Sequence, residues 1–132
     1  MLRKTLSVII GLVIAVVTFS IFEWIGQLVY PAPQGFNKDD LDALREFILQ
    51  LPAGAFLMIA AGWAVGSFLA GFAEKTISRS AGIVPPIIIG VVLTIGAVAN
   101  FVMLPHPVWF VILGLLIFVP VTLLGHKAVP SR

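Results

Sequence analysis

Residues 6–30 read LSVIIGLVIAVVTFSIFEWIGQLVY, and from Leu6 to Phe22 no side chain carries a charge. A helix rises about 1.5 Å per residue. A run of this length therefore crosses the roughly 30 Å hydrocarbon core of a bilayer. It lacks the apolar/polar alternation of a barrel strand, which spans only about 9–11 residues. In lipid a helix satisfies every backbone polar group within the segment. Glu23 is the only acidic side chain in this stretch, and a carboxylate in hydrocarbon is costly enough to need a reason.

Three more apolar stretches follow, over about 51–73, 81–104 and 108–124. The last is the shortest, and Pro120 near its end predicts a kink or an incomplete crossing. The whole 132-residue chain is 60% hydrophobic and 11% charged, with a mean hydropathy of +1.12. Soluble domains average about 45–50% apolar and about 25% charged. A chain this short cannot hide so much apolar surface in a water-soluble core. The expected fold is all-α, a single membrane domain over 1–132. It is an integral membrane four-helix bundle with a short amphipathic helix in its first loop. Arg3 and Lys4 before the first span mimic a signal peptide, but the apolar run is too long and no small-x-small cleavage pattern follows. A retained span is expected.

The chain has no cysteine, which excludes disulfides and thiol chemistry. The pI near 9.4 does not point to nucleic acid, because the basic residues are sparse and sit at span ends. They read instead as orienting charges. Arg3, Lys4, Lys75, Arg79, Lys127 and Arg132 fall on one side, and only Lys38 and Arg45 on the other. This asymmetry predicts both termini in the cytoplasm and the 31–50 loop outside. In that loop Pro31-Ala32-Pro33 stops the first span. Asn37 reads as an N-cap with Asp39 and Asp40 in the first turn. Leu41, Leu44, Ile48 and Leu51 recur at helical spacing, so a helix over about 38–50 is expected to lie on the membrane surface or cap the bundle.

Gly62, Gly66 and Ala70 stand four residues apart in the second span, with Ser67 and Gly71 beside them. Such a row lets backbones approach closely. It serves either packing within the bundle or a face for a second copy or a partner membrane protein. Gly114 has no small neighbour at that spacing.

Ser20, Glu23 and Gln27 share a face of the first span. Asn100 and His106 fall at a similar depth near the same membrane face, and Arg45 on the loop helix is placed to reach over them. Glu23, Gln27, Asn100, His106 and Arg45 thus form a candidate polar cluster. It is either a closed hydrogen-bond network that locks the span ends or a pocket for a small ligand, a proton or a lipid headgroup. Trp24, Tyr30 and Trp109 read as interfacial belt residues. One His and one Glu are too few for a metal site, and His126 belongs to the opposite membrane face. No metal, cofactor, nucleophile elbow or phosphate loop is expected.

The segments from Pro31 to Gly35, Leu51-Pro52-Ala53-Gly54, Ala64-Val65-Gly66-Ser67-Phe68 with Gly71, and NFVMLPHPVWF from Asn100 to Phe110 carry a resemblance over most of the chain. The chain resembles a group of uncharacterised small four-span proteins of bacterial inner membranes. That resemblance implies a multi-pass location there and no particular activity. The expected role is a non-enzymatic scaffold or accessory subunit. The alternative is a small transporter or ligand-binding membrane protein that uses the cluster around Glu23. A closed network around Glu23 would favour the first, and a cavity the second.

Overall fold

A computed structural model describes residues 2–32, 35–37 and 39–130. Pro33, Lys38 and Arg132, which entered the reading of the first loop and of the charge asymmetry, lie outside the described residues. The order is α1 Leu2–Val29, α2 Leu41–Leu49, α3 Ala53–Ser78, α4 Val84–Met103 and α5 Val108–Ala128, with no strand among the described residues. The helices α1, α3, α4 and α5 are long and apolar enough to cross a membrane. The fold is an all-α membrane helical bundle.

Prolines set most of the boundaries. Pro31 follows α1, Pro85 and Pro86 sit in the first turn of α4, and Pro52 and Pro107 stand at the N-caps of α3 and α5. Proline lacks an amide hydrogen, so it fits where a helix leaves its first amides unbonded and cannot serve where a helix continues. Pro120 departs from the expectation of a shortened last span. Helix α5 runs through it to Ala128. Packing against neighbours makes a proline tolerable inside a membrane helix. Helix α3 also runs beyond its expected end at Ala73, to Ser78. It closes on Arg79, whose left-handed backbone (φ 56°, ψ 24°) lets its amide donate to the Lys75 carbonyl at 2.8 Å.

The loop helix is present but begins later than expected. Its N-cap is Asp40, not Asn37: the Asp40 carboxylate accepts from the amides of Asp42 at 3.1 Å and Ala43 at 3.3 Å. Asn37 instead accepts from the Asp39 amide at 3.0 Å, a local turn just upstream. Either side chain can cap.

Helix α3 is the hub, packed along α1 and along α5, whereas α1 and α4 meet only sparingly. Helices α1 and α3 run antiparallel, with Tyr30 at Gly54 and Gly11 at Ala70. Helices α3 and α5 run parallel, from the Phe56–Phe110 ring contact to the Glu74–His126 contact. The ends of α1 and α5 that carry the chain termini thus share one end of the bundle. We call this the terminal end, and the other the loop end.

An aromatic stack forms the core. Trp63 lies 4.9 Å from Phe110 and 5.1 Å from Phe118 between ring centroids, and Phe56 lies 5.2 Å from Phe110, separations at which ring pairs attract. The small-residue row faces α1: Gly62 abuts Phe22, and Gly66 abuts Phe19 and the Ala15 carbonyl. The closest backbone approach is between α3 and α5. A Cβ on Gly71 would strike the Thr122 carbonyl, and one on Gly125 the Phe68 carbonyl. Gly114 is also confined. A Cβ there would come within 2.5 Å of the Phe101 ring and 2.9 Å of Trp63.

Candidate functional site

The five residues of the expected polar cluster separate into three places. Glu23 on α1 and Asn100 on α4 line one groove. Gln27, one turn beyond Glu23, is exposed and lies outside the groove lining. Ser20 does not support Glu23, because its hydroxyl donates back to the Val16 carbonyl at 2.9 Å.

His106 sits in the turn between α4 and α5. Pro105 and Pro107 hold that turn extended, and the imidazole folds onto the core. It stacks on Phe110 at 5.5 Å and meets Phe101 edge-on at 5.1 Å, and its Nδ1 bonds the Leu104 carbonyl at 2.9 Å. Burial lowers its pKa below the ordinary 6.5, with the Leu104 hydrogen bond acting in the opposite sense. Arg45 donates from Nε to the Met103 carbonyl at 3.3 Å, and its guanidinium lies 3.9 Å from Asp42. It tethers the loop helix to the last carbonyls of α4, where a cation also suits the helix dipole. No hydrogen bond or ion pair joins Arg45 or His106 to Glu23 among the described residues.

The groove follows from the sparse contact between α1 and α4. It is open-sided and has a volume of about 530 Å³. Phe19 and Phe22 form one wall, Leu93 and Ala97 the other, and Trp63 and Phe118 the floor. Over Gly96 on α4 the space is open, since a Cβ there would meet nothing within 4 Å. Glu23 is the one charged side chain on the lining. Neither Glu23 nor Asn100 has a side-chain hydrogen-bond partner among the described residues. Among the described residues no hydrogen-bond network closes around Glu23, which is exposed, as is Asn100, on the open groove.

A second polar site was not read from the sequence. Glu74, fully buried on α3, shares a 2.6 Å hydrogen bond with Nδ1 of His126 on α5. The Ser78 hydroxyl donates to the other oxygen of Glu74 at 2.9 Å, and the Ser80 amide donates to Ser78 at 3.3 Å. Nε2 of His126 is buried without a partner. Gly71 stands three residues before Glu74 and Gly125 directly before His126. The close approach they permit brings the two polar groups together. Those two glycines were the available signal. Ending the second span at Ala73 left Glu74 out of the expected stretch, whereas α3 continues to Ser78 and Glu74 is buried within it. His126 is, as expected, remote from Glu23. No group of three or more His, Cys, Asp or Glu converges among the described residues.

Four apolar helices of spanning length around a buried aromatic core define a multi-pass α-helical membrane protein. Comparison of the chain with protein-family models, curated proteins and solved structures finds no match.

Proposed function

We propose that the chain is a non-enzymatic membrane protein that binds a lipid-soluble small molecule in the groove between α1 and α4. The observation that carries this reading is the opening around Glu23. A carboxylate and an amide line an otherwise apolar cavity, and neither is used by the protein itself. Small-molecule sites are concave, mostly apolar and about 300–1,000 Å³, with a few polar groups that fix orientation. The groove's 530 Å³ fits that description. A scaffold needs no such cavity, so the geometry favours the binding role over the scaffold role. The basic residues at the terminal end support an orientation with the termini inward and the groove's polar end toward the outer face; placement in a bacterial cytoplasmic membrane rests on the resemblance alone.

Trp63 gives a direct readout, because it is buried and lines the groove. In a chain carrying Trp24→Phe and Trp109→Phe, the neutral amphiphile 12-bromododecanol should quench Trp63 fluorescence saturably. Adding Gly96→Phe, which fills the open space over α4, should abolish the saturable component. Linear quenching that Gly96→Phe leaves unchanged would contradict a binding groove.

A further inference from the structure

We infer that the groove selects an amphiphilic cation, with its charged head beside Glu23 and Asn100 and its apolar body against Phe19, Trp63 and Phe118. This rests on the binding role proposed above and names the chemical class of its ligand.

Charge complementarity carries the inference. Glu23 is the only charged group on the lining, and no lysine, arginine or histidine nitrogen lies within 4.0 Å of its carboxylate among the described residues. Arg45, the arginine of the loop helix, is committed to the Met103 carbonyl and lies near Asp42. His106 is turned into the aromatic rings and bonded to Leu104. The protein therefore supplies the negative member of a pair and leaves the positive member to the occupant. Glu23 and Asn100 are both exposed on the open groove, and the apolar surroundings of a membrane strengthen an unlike-charge pair relative to water. An anionic ligand would meet the Glu23 charge directly. A neutral ligand could satisfy the Asn100 amide but would leave the carboxylate without a counter-charge. The rings of Phe19, Phe22, Trp63 and Phe118 suit an apolar body and tolerate a cation near their faces.

The bromine-quenching measurement separates the class of ligand from the existence of the groove. Two probes share one chain: 12-bromododecyltrimethylammonium and 12-bromododecanol. Both are titrated in a non-ionic detergent as mole fractions in the micelle, against the Trp24→Phe/Trp109→Phe protein and against the same protein with Glu23→Gln. The cation should half-saturate at about ten-fold lower mole fraction than the alcohol, a ratio equivalent to one unlike-charge contact of about 1.4 kcal/mol. Glu23→Gln should bring the two probes within about two-fold, with the alcohol unmoved. Glu46→Gln, an exposed carboxylate on α2, should leave the ten-fold advantage intact. Equal saturation by both probes in the parent, or an advantage that survives Glu23→Gln, overturns the cation inference while the saturable alcohol signal upholds the groove. If neither probe saturates and Gly96→Phe changes nothing, the groove itself fails, and the inference with it.

Discussion

His126 Nδ1 on α5 lies 2.6 Å from a Glu74 oxygen on α3, and both side chains are buried at the terminal end of the bundle. At this length the two groups are in close hydrogen-bond contact. The carboxylate is further held by Ser78, so the pair ties two parallel helices at the point where their backbones are closest.

Removing one partner should therefore hurt more than removing both. Glu74→Leu leaves the His126 ring nitrogen and the Ser78 hydroxyl without their acceptor, at a cost of about 1–3 kcal/mol for each buried group left unsatisfied. Glu74→Leu combined with His126→Leu should recover part of that loss, because the His126 nitrogen is no longer left without a partner. Thermal unfolding in detergent, followed by tryptophan fluorescence, checks both. A single variant as stable as the parent would show that the pair contributes nothing to the fold.

Gly125→Ala should destabilise by at least about 2 kcal/mol, since the new methyl strikes the Phe68 carbonyl, and overpacking of backbone cannot be relieved by a rotamer change. Gly96→Ala should be neutral or slightly stabilising, because nothing stands within 4 Å of the added methyl and alanine favours helix. Detergent melting of the two variants side by side decides it. Equal losses would place the α3–α5 contact elsewhere.

The spans themselves were legible in the sequence because lipid demands long uncharged runs, and the prolines mark where those runs stop. The row Gly62, Gly66, Ala70 was legible as a contact face, though not as the face turned to α1. The Glu74–His126 pair was not legible, for a physical reason. A charge at a span end reads as an interfacial anchor, and only the parallel pairing of α3 with α5 turns it into a buried contact. Gly114 misled in the opposite direction. Spacing finds small residues that pack in rows, but Gly114 is small because the rings of Phe101 and Trp63 cross there. The groove depends on how far α1 stands from α4, which no local pattern encodes. His106 and Arg45 shared the depth of Glu23 but were drawn away, one by aromatic rings and the other by the Met103 carbonyl.

The environment of His106 predicts a pH dependence. Its pKa is lowered below 6.5 in the folded protein, so the unfolded chain takes up the proton first as pH falls. The contribution to stability is complete above about 6.5 and is lost as pH drops below it, down to the folded value, at no more than about 1.4 kcal/mol per pH unit. His106→Gln should remove this component, so the parent should lose more thermal stability than the variant between pH 7.5 and pH 5.5 (roughly the window of a titrating histidine). Parallel pH profiles would contradict a half-buried imidazole with a lowered pKa.

Topology can be read with single cysteines, since the chain has none. Asp39 and Ala81 are exposed at opposite ends of the bundle. In intact cells an impermeant maleimide should label Asp39→Cys and spare Ala81→Cys. The reverse pattern would invert the proposed orientation.

The groove between α1 and α4 is the central claim, and the position of a bound heavy atom tests it most directly. Crystals of the unmodified chain grown with 12-bromododecyltrimethylammonium should be measured at the bromine absorption edge. Anomalous density inside the groove, between Phe19 and Phe118 over Trp63, is the predicted result. Bromine density confined to the outer, lipid-facing surfaces of the helices, with the groove empty or closed by α4 moving onto α1, would contradict it.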